Sequence, residues 1–170
     1  FEGSPYEKIL DSIFECMDII ESDLKVGSFD EKSLKESIKS IPESINSKLS
    51  FLDLSYPDQI QILLSKLDDN RRLVRLGSIS SIYIIIKKFN VIEYIDLVNN
   101  IIHEIFECLK NFEIHEEIFL ISCLEVLFLF ANTNLNEMII KNLRFLCMFL
   151  TDFNFPKLQK TCFNLIMQCG

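Results

Sequence analysis

The side chains of this 170-residue chain best suited to chemistry are two histidines, six cysteines and a few adjacent carboxylates. His103 falls in the middle of an apolar helical pattern and His115 near the start of the next. With Cys108 they suggest a zinc set, but zinc needs four nitrogen or sulfur ligands converging on a tetrahedron. His103 and Cys108 are five positions apart, off any common tight helix face, and no C-x-x-C pair supplies the remaining ligands. No metal is expected. The four glycines stand alone at positions 3, 27, 77 and 170, so no loop can cradle a phosphate. The G-x-S-x-G, G-x-x-x-x-G-K-S/T and G-x-G-x-x-G patterns are all missing. Glu116-Glu117 and Asp68-Asp69 sit where helices begin, and there the backbone dipole favours negative charge without any catalytic duty. The chain therefore reads as non-enzymatic, with no cofactor and no small-molecule substrate.

The elements that carry these residues are helices. Hydrophobic residues make up 49% of the chain, too many for an acidic disordered tail. Four glycines and four prolines are too few for a turn-rich β-sandwich or barrel. The formal charge of −8 argues against nucleic acid or an anionic membrane as partner, since both are themselves negative. The most apolar stretch, Ile118 to Ala131, contains Ser122 and Glu125 and is too short to span a bilayer, so it reads as a buried core helix. Phe1 to Tyr6 lack the apolar run of a signal peptide, and the absence of a starting Met leads us to expect a piece of a longer protein. Cys16, Cys108, Cys123, Cys147, Cys162 and Cys169 all fall inside apolar helical patterns, where a free thiol behaves as a small hydrophobe. That usage points to a reducing, intracellular and specifically cytoplasmic setting.

Apolar spacing predicts about eight helices in one domain covering 1–170. The first runs from about Pro5 to Val26, between the start signal Ser4-Pro5 and the stop Gly27. Leu34 to Leu52 keep a helical period through Pro42, which must kink or divide them. Ser33, Ser37, Ser40, Ser44 and Ser47 follow as a polar flank beside that stripe. Residues 1–56 form a divergent N-terminal repeat or cap. Six further helices follow near Pro57–Leu67, Arg71–Phe89, Glu93–Lys110, Glu116–Ala131, Asn136–Leu150 and Pro156–Gln168, separated by short polar breaks. Such short connections make neighbours antiparallel, giving three helix pairs over 57–170 with starts about 36 to 43 residues apart. The helix Glu116–Ala131 has no clean polar face and is expected to be covered on several sides.

The stretch Leu67-Asp68-Asp69-Asn70-Arg71-Arg72-Leu73-Val74-Arg75 resembles the signature of HEAT repeats. In that family an Asp closes the first helix of a pair, a Val-Arg dipeptide follows five and six residues later, and small residues mark the second helix. Asp69, Val74 and Arg75 match, with Gly77 and Ser78 as the small residues and Ile79 and Ile82 as the core face. The physical role is separable from the family: Asp69 satisfies free N–H groups at a helix start, and Arg75 pairs with it or with the equivalent of the next repeat. The second pair keeps Asn111 but has Glu116 and Glu117 for Val-Arg, and the third keeps Asp152 but has Lys157 and Leu158. The likeness thus covers 57–170 by period and about 60–86 by motif, which leaves armadillo-type and other helical repeats open. It implies an α-α superhelix, or solenoid, of stacked antiparallel helix pairs whose usual work is binding another protein.

Charge narrows where. Lys66, Arg71, Arg72, Arg75, Lys87 and Lys88 oppose only Asp68 and Asp69 in that segment. Arg71 and Lys87 lie about 24 Å apart along a helix, so these are two clusters rather than one patch. Lys87 and Lys88 suit a helix C-terminus, whereas Arg71 and Arg72 sit in a first turn, where cations are disfavoured. Those two are the partner-binding candidates, facing an acidic partner. From Glu93 to Glu125 the balance reverses, with Lys110 the lone base, as a solvated face or a dock for a basic peptide. Three functions follow in order: an interaction scaffold, a tubulin-binding module of the TOG type, and a helical RNA-binding or translation-scaffold repeat. The absence of Trp and the acidic second turn (Glu113, Glu116, Glu117) count against the second, and the net charge against the third.

Overall fold

A computed structural model describes residues 54–111, 116–152 and 156–169. The expected helices before residue 54, Pro42, the serine flank, Cys16 and His115 lie outside the described residues. Among the described residues the fold is all helical: α1 (Tyr56–Leu64), α2 (Arg72–Lys88), a short 3-10 turn (Val91–Glu93), α3 (Ile95–Lys110), α4 (Glu117–Ala131), α5 (Glu137–Lys141), α6 (Leu143–Asp152) and α7 (Pro156–Cys169). The chain divides into two compact units at Ile85–Ile86.

In the first unit, α1 begins where Ser55 turns its hydroxyl on the first turn. Ser55 Oγ accepts from the Asp58 N–H at 3.3 Å and donates to the Asp58 carboxylate at 2.8 Å, and Pro57 needs no donor there. The helix stops at Leu64 rather than Leu67, because the chain tightens into bonds from Lys66 N–H to Leu63 O and from Leu67 N–H to Leu64 O. Leu67 is still buried. In α2 the residues Val74, Leu76, Ile79, Ile82 and Ile85 recur at helical spacing and are buried.

The second unit carries a 39-residue repeat. Helices α4 and α7 begin 39 positions apart and bury the same register: Phe119 with Leu158, Cys123 with Cys162, Val126 with Leu165. Each also has a hydroxyl bonded back to its own helix at the same place, Ser122 Oγ to Ile118 O at 2.9 Å and Thr161 Oγ1 to Lys157 O at 2.9 Å. One aromatic pair in the preceding helices keeps the offset, although Ile105 and Cys108 are buried where Arg144 and Cys147 are exposed. Phe106 on α3 and Phe145 on α6 are 39 apart and meet edge to face at 6.3 Å, with Lys110 Nζ 5.7 Å from the Phe145 ring. Helix α4 packs most extensively on α7 and also on α3; α7 packs on α6, and α3 on α5.

The helix predicted over Asn136–Leu150 is two helices. Asn142 is the cause. Its amide Nδ2 donates to Met138 O at 2.7 Å, and its own N–H bonds to Ile139 O at 3.0 Å, one residue closer than an α-helix requires. The side chain thus competes for the carbonyl on which helix continuation depends. The link from α4 to α5 is closed in the same manner: Thr133 Oγ1 donates to Phe130 O at 2.7 Å and Asn136 Nδ2 to Ala131 O at 2.8 Å.

Cys108, Cys123 and Cys162 are buried and Cys169 is partly so, but Cys147 is exposed, contrary to the expectation of core thiols throughout. The helical pattern at Cys147 is genuine, but Leu146 beside it takes the inward position and leaves the thiol facing out. Burial, then the neighbouring Cys147, pushes the Cys162 thiol up to about 12, and burial, then Cys108, pushes Cys123 well up. Only the thiolate reacts. Among the described cysteines, iodoacetamide at mildly alkaline pH is therefore expected to modify Cys147 first, with Cys123 and Cys162 reacting only after urea unfolding; peptide mass mapping over time checks the order.

Candidate functional site

The turn between α1 and α2 is built on Asp69. Its N–H bonds to Lys66 O at 3.2 Å, which fixes the backbone, and its carboxylate then receives three bonds from one residue. Arg71 donates its backbone N–H to Oδ1 at 2.9 Å, Nε to Oδ1 at 3.0 Å and an Nη2 hydrogen to Oδ2 at 3.1 Å. This two-pronged pairing is the strong geometry for arginine and carboxylate. Arg75 reaches the same residue from the next turn, its Nη1 donating to Asp69 O at 2.7 Å. Burial raises the Asp69 carboxyl, but the Arg71 hydrogen bonds, the Arg71 charge and Lys66 outweigh it, and the group titrates below the ordinary aspartate range.

The residues singled out from sequence thus meet, with altered roles. Asp69 does satisfy an N–H at a helix start, and Val74 is fully buried. Arg75 holds the Asp69 carbonyl, and it is Arg71 that holds the carboxylate. The latter pairing compensates the Arg71 charge within the chain, leaving its side chain one-quarter exposed (25%). Arg72 opens α2 and is half-buried. On α2, Arg75 Nε, Ser78 Oγ and Ser81 Oγ are buried without a hydrogen-bond partner among the described residues.

A second feature lies on α4. Its inward register is as apolar as the sequence implies, with Phe119, Leu120, Leu124, Leu127 and Phe130 buried. It is not covered all round. Glu125 and Phe128 are exposed and Ile118, Ile121 and Leu129 half-buried, along one stripe at spacings of three and four residues. Partial burial raises the Glu125 carboxyl above the ordinary range. At the equivalent places on α7 stand Lys157, Lys160, Asn164, Met167 and Gln168, all exposed. No periodicity argument on a single helix finds this face, because a stripe of Ile and Phe around one Glu looks like core. The signal lies in the 39-residue offset, visible in sequence as Cys108-x14-Cys123 repeated at Cys147 and Cys162.

His103 is exposed on α3, and no group of three or more His, Cys, Asp or Glu could hold a metal among the described residues. No helix among them is long and apolar enough to cross a membrane. No family model, curated protein or solved structure matches the chain.

The Asp69 geometry sets a pH dependence. Its folded-state value lies below that of the unfolded chain, so its stabilisation is complete above about pH 5 and is lost as pH falls through the unfolded and then the folded value. Asp69→Asn is expected to lower the urea midpoint at pH 7 and to flatten the fall in stability between about pH 5 and pH 3, measured by circular dichroism.

Proposed function

We propose that the chain is a non-enzymatic scaffold for binding another protein, built from stacked helix pairs of the HEAT or armadillo kind. The observation that carries this reading is the open face of α4 and α7. Phe128 is 41% and Met167 62% exposed at equivalent positions. Large apolar side chains on neighbouring helices cost solubility unless something covers them, and such patches mark interaction sites. The 39-residue offset, the ring contact between the equivalent Phe106 and Phe145, and the packing of α4 on α7 all favour stacking of like on like, the arrangement that gives helical repeats their extended binding surfaces. Buried Val74 and the Asp69 turn support the HEAT likeness in the first unit. An acidic chain suits a protein partner better than nucleic acid. The five cysteines among the described residues are all free, which suits a reducing, intracellular setting.

Panning a displayed library of helical peptides on the folded, immobilised chain is expected to enrich a related family of sequences whose binding saturates and is lost when the chain is unfolded in urea. Enrichment no greater than on a blank support contradicts the scaffold reading.

A further inference from the structure

The exposed faces of α4 and α7 belong together. The two helices pack on each other, bury equivalent residues and bond equivalent hydroxyls back to their own backbones. Four equivalent pairs stay outside the core on both helices, although α7 also exposes Phe163 where α4 buries Leu124. Ile118, Ile121, Glu125 and Phe128 therefore run alongside Lys157, Lys160, Asn164 and Met167.

The charges on this face are sparse and ordered. Lys157 and Lys160 lie in the first two turns of α7, beside Ile118 and Ile121. With the 39-residue offset kept between the stacked helices, Glu125 falls further on, level with Asn164, and Phe128 with Met167 falls beyond it. From Lys160 and Lys157 to the level of Glu125 is four and seven residues, about 6 to 10 Å along the helix axis. None of the three charged side chains has a hydrogen-bond or ion-pair partner among the described residues, whereas Glu107 with Lys110 and Glu137 with Lys141 pair along their own helices. Partial burial of Glu125 disfavours its charge, a cost that an incoming cation offsets.

We infer that this face docks an amphipathic helix of another protein, one that presents acidic residues to Lys157 and Lys160, a basic residue about four to seven positions away to Glu125, and an apolar end to Phe128 and Met167. The inference rests on the scaffold reading and names the partner's chemistry. The apolar ends supply affinity and exclude water. The ordered charges fix the direction in which the partner lies and reject helices of opposite order.

The test uses peptides enriched by the library, measured by fluorescence anisotropy against the full chain and against Lys157→Glu/Lys160→Glu/Glu125→Lys, whose changes are all at exposed positions. The enriched peptides are expected to show the acid-then-base order and to lose about ten-fold or more in affinity for the variant. Peptides with their own charges swapped should regain it. Hydrogen-exchange footprinting of the bound wild-type chain needs no variant, and should protect residues 118–129 and 157–168. Peptides that bind the variant equally and leave a footprint elsewhere would overturn this surface while leaving the scaffold reading intact. A library that enriches nothing removes both. Flotation of the chain with phosphatidylserine vesicles, abolished by Lys157→Glu/Lys160→Glu, would assign the face to a lipid surface and overturn the inference.

Discussion

Everything in the second unit depends on the burial of α4. Phe119, Leu120, Cys123, Leu124, Val126, Leu127, Phe130 and Ala131 are withdrawn from water on a helix of 15 residues. Each large side chain so buried contributes about 1.5 to 3 kcal/mol, so this one helix gathers a large share of the apolar driving force. A helix with that wide an apolar arc cannot be satisfied by one neighbour. It draws α3 to one side and α7 to another, and α7 brings α6 with it. The exposed stripe around Glu125 is what remains uncovered once those neighbours are in place.

The like-on-like register follows from the same constraint. If α7 is to cover α4, the two surfaces must interdigitate, and the simplest way to keep the ridges matched is to repeat the same spacing of large residues. The equivalent hydroxyls of Ser122 and Thr161 bond back to their own helices and so remain neutral to the interface. The contact of Phe106 with Phe145 carries the repeat into the other helices of the unit. Two departures from the predicted helix bounds occur where a polar side chain intervenes. Asn142 divides one helix in two, and the 3-10 turn Val91–Glu93, held by Asn90 Nδ2 on Glu93 Oε1 at 3.1 Å, delays the start of α3 to Ile95.

Much of this was readable in the residues. Helical spacing of Ile, Leu and Phe located the described helical segments within a few positions, apart from running α5 and α6 together, because burial of one face is what makes those segments helical. Asp69 and Val74 were legible for the same kind of reason, one at a helix start and one on a core face. What escaped was decided by competition between side chains. The Arg71 fork and the Arg75 guanidinium both had access to Asp69, and only folded geometry gives the carboxylate to the former and the carbonyl to the latter. The break at Asn142 turns on one amide choosing a carbonyl. The exposure of Glu125 and Phe128 depends on where α3 and α7 stop covering α4, which no local pattern records.

The central claim is that α4 is the most deeply held element of the second unit, with α7 as its principal cover. Residue-resolved amide hydrogen exchange on the intact chain tests it most directly. The amides of Phe119–Phe130 should exchange only through global unfolding of the unit, with those of Leu158–Leu165 close behind, and the single turn of α5 should open at far lower free energy. Exchange of the α4 amides as fast as those of α5, or slow exchange centred on α5 and α6 instead, would contradict it.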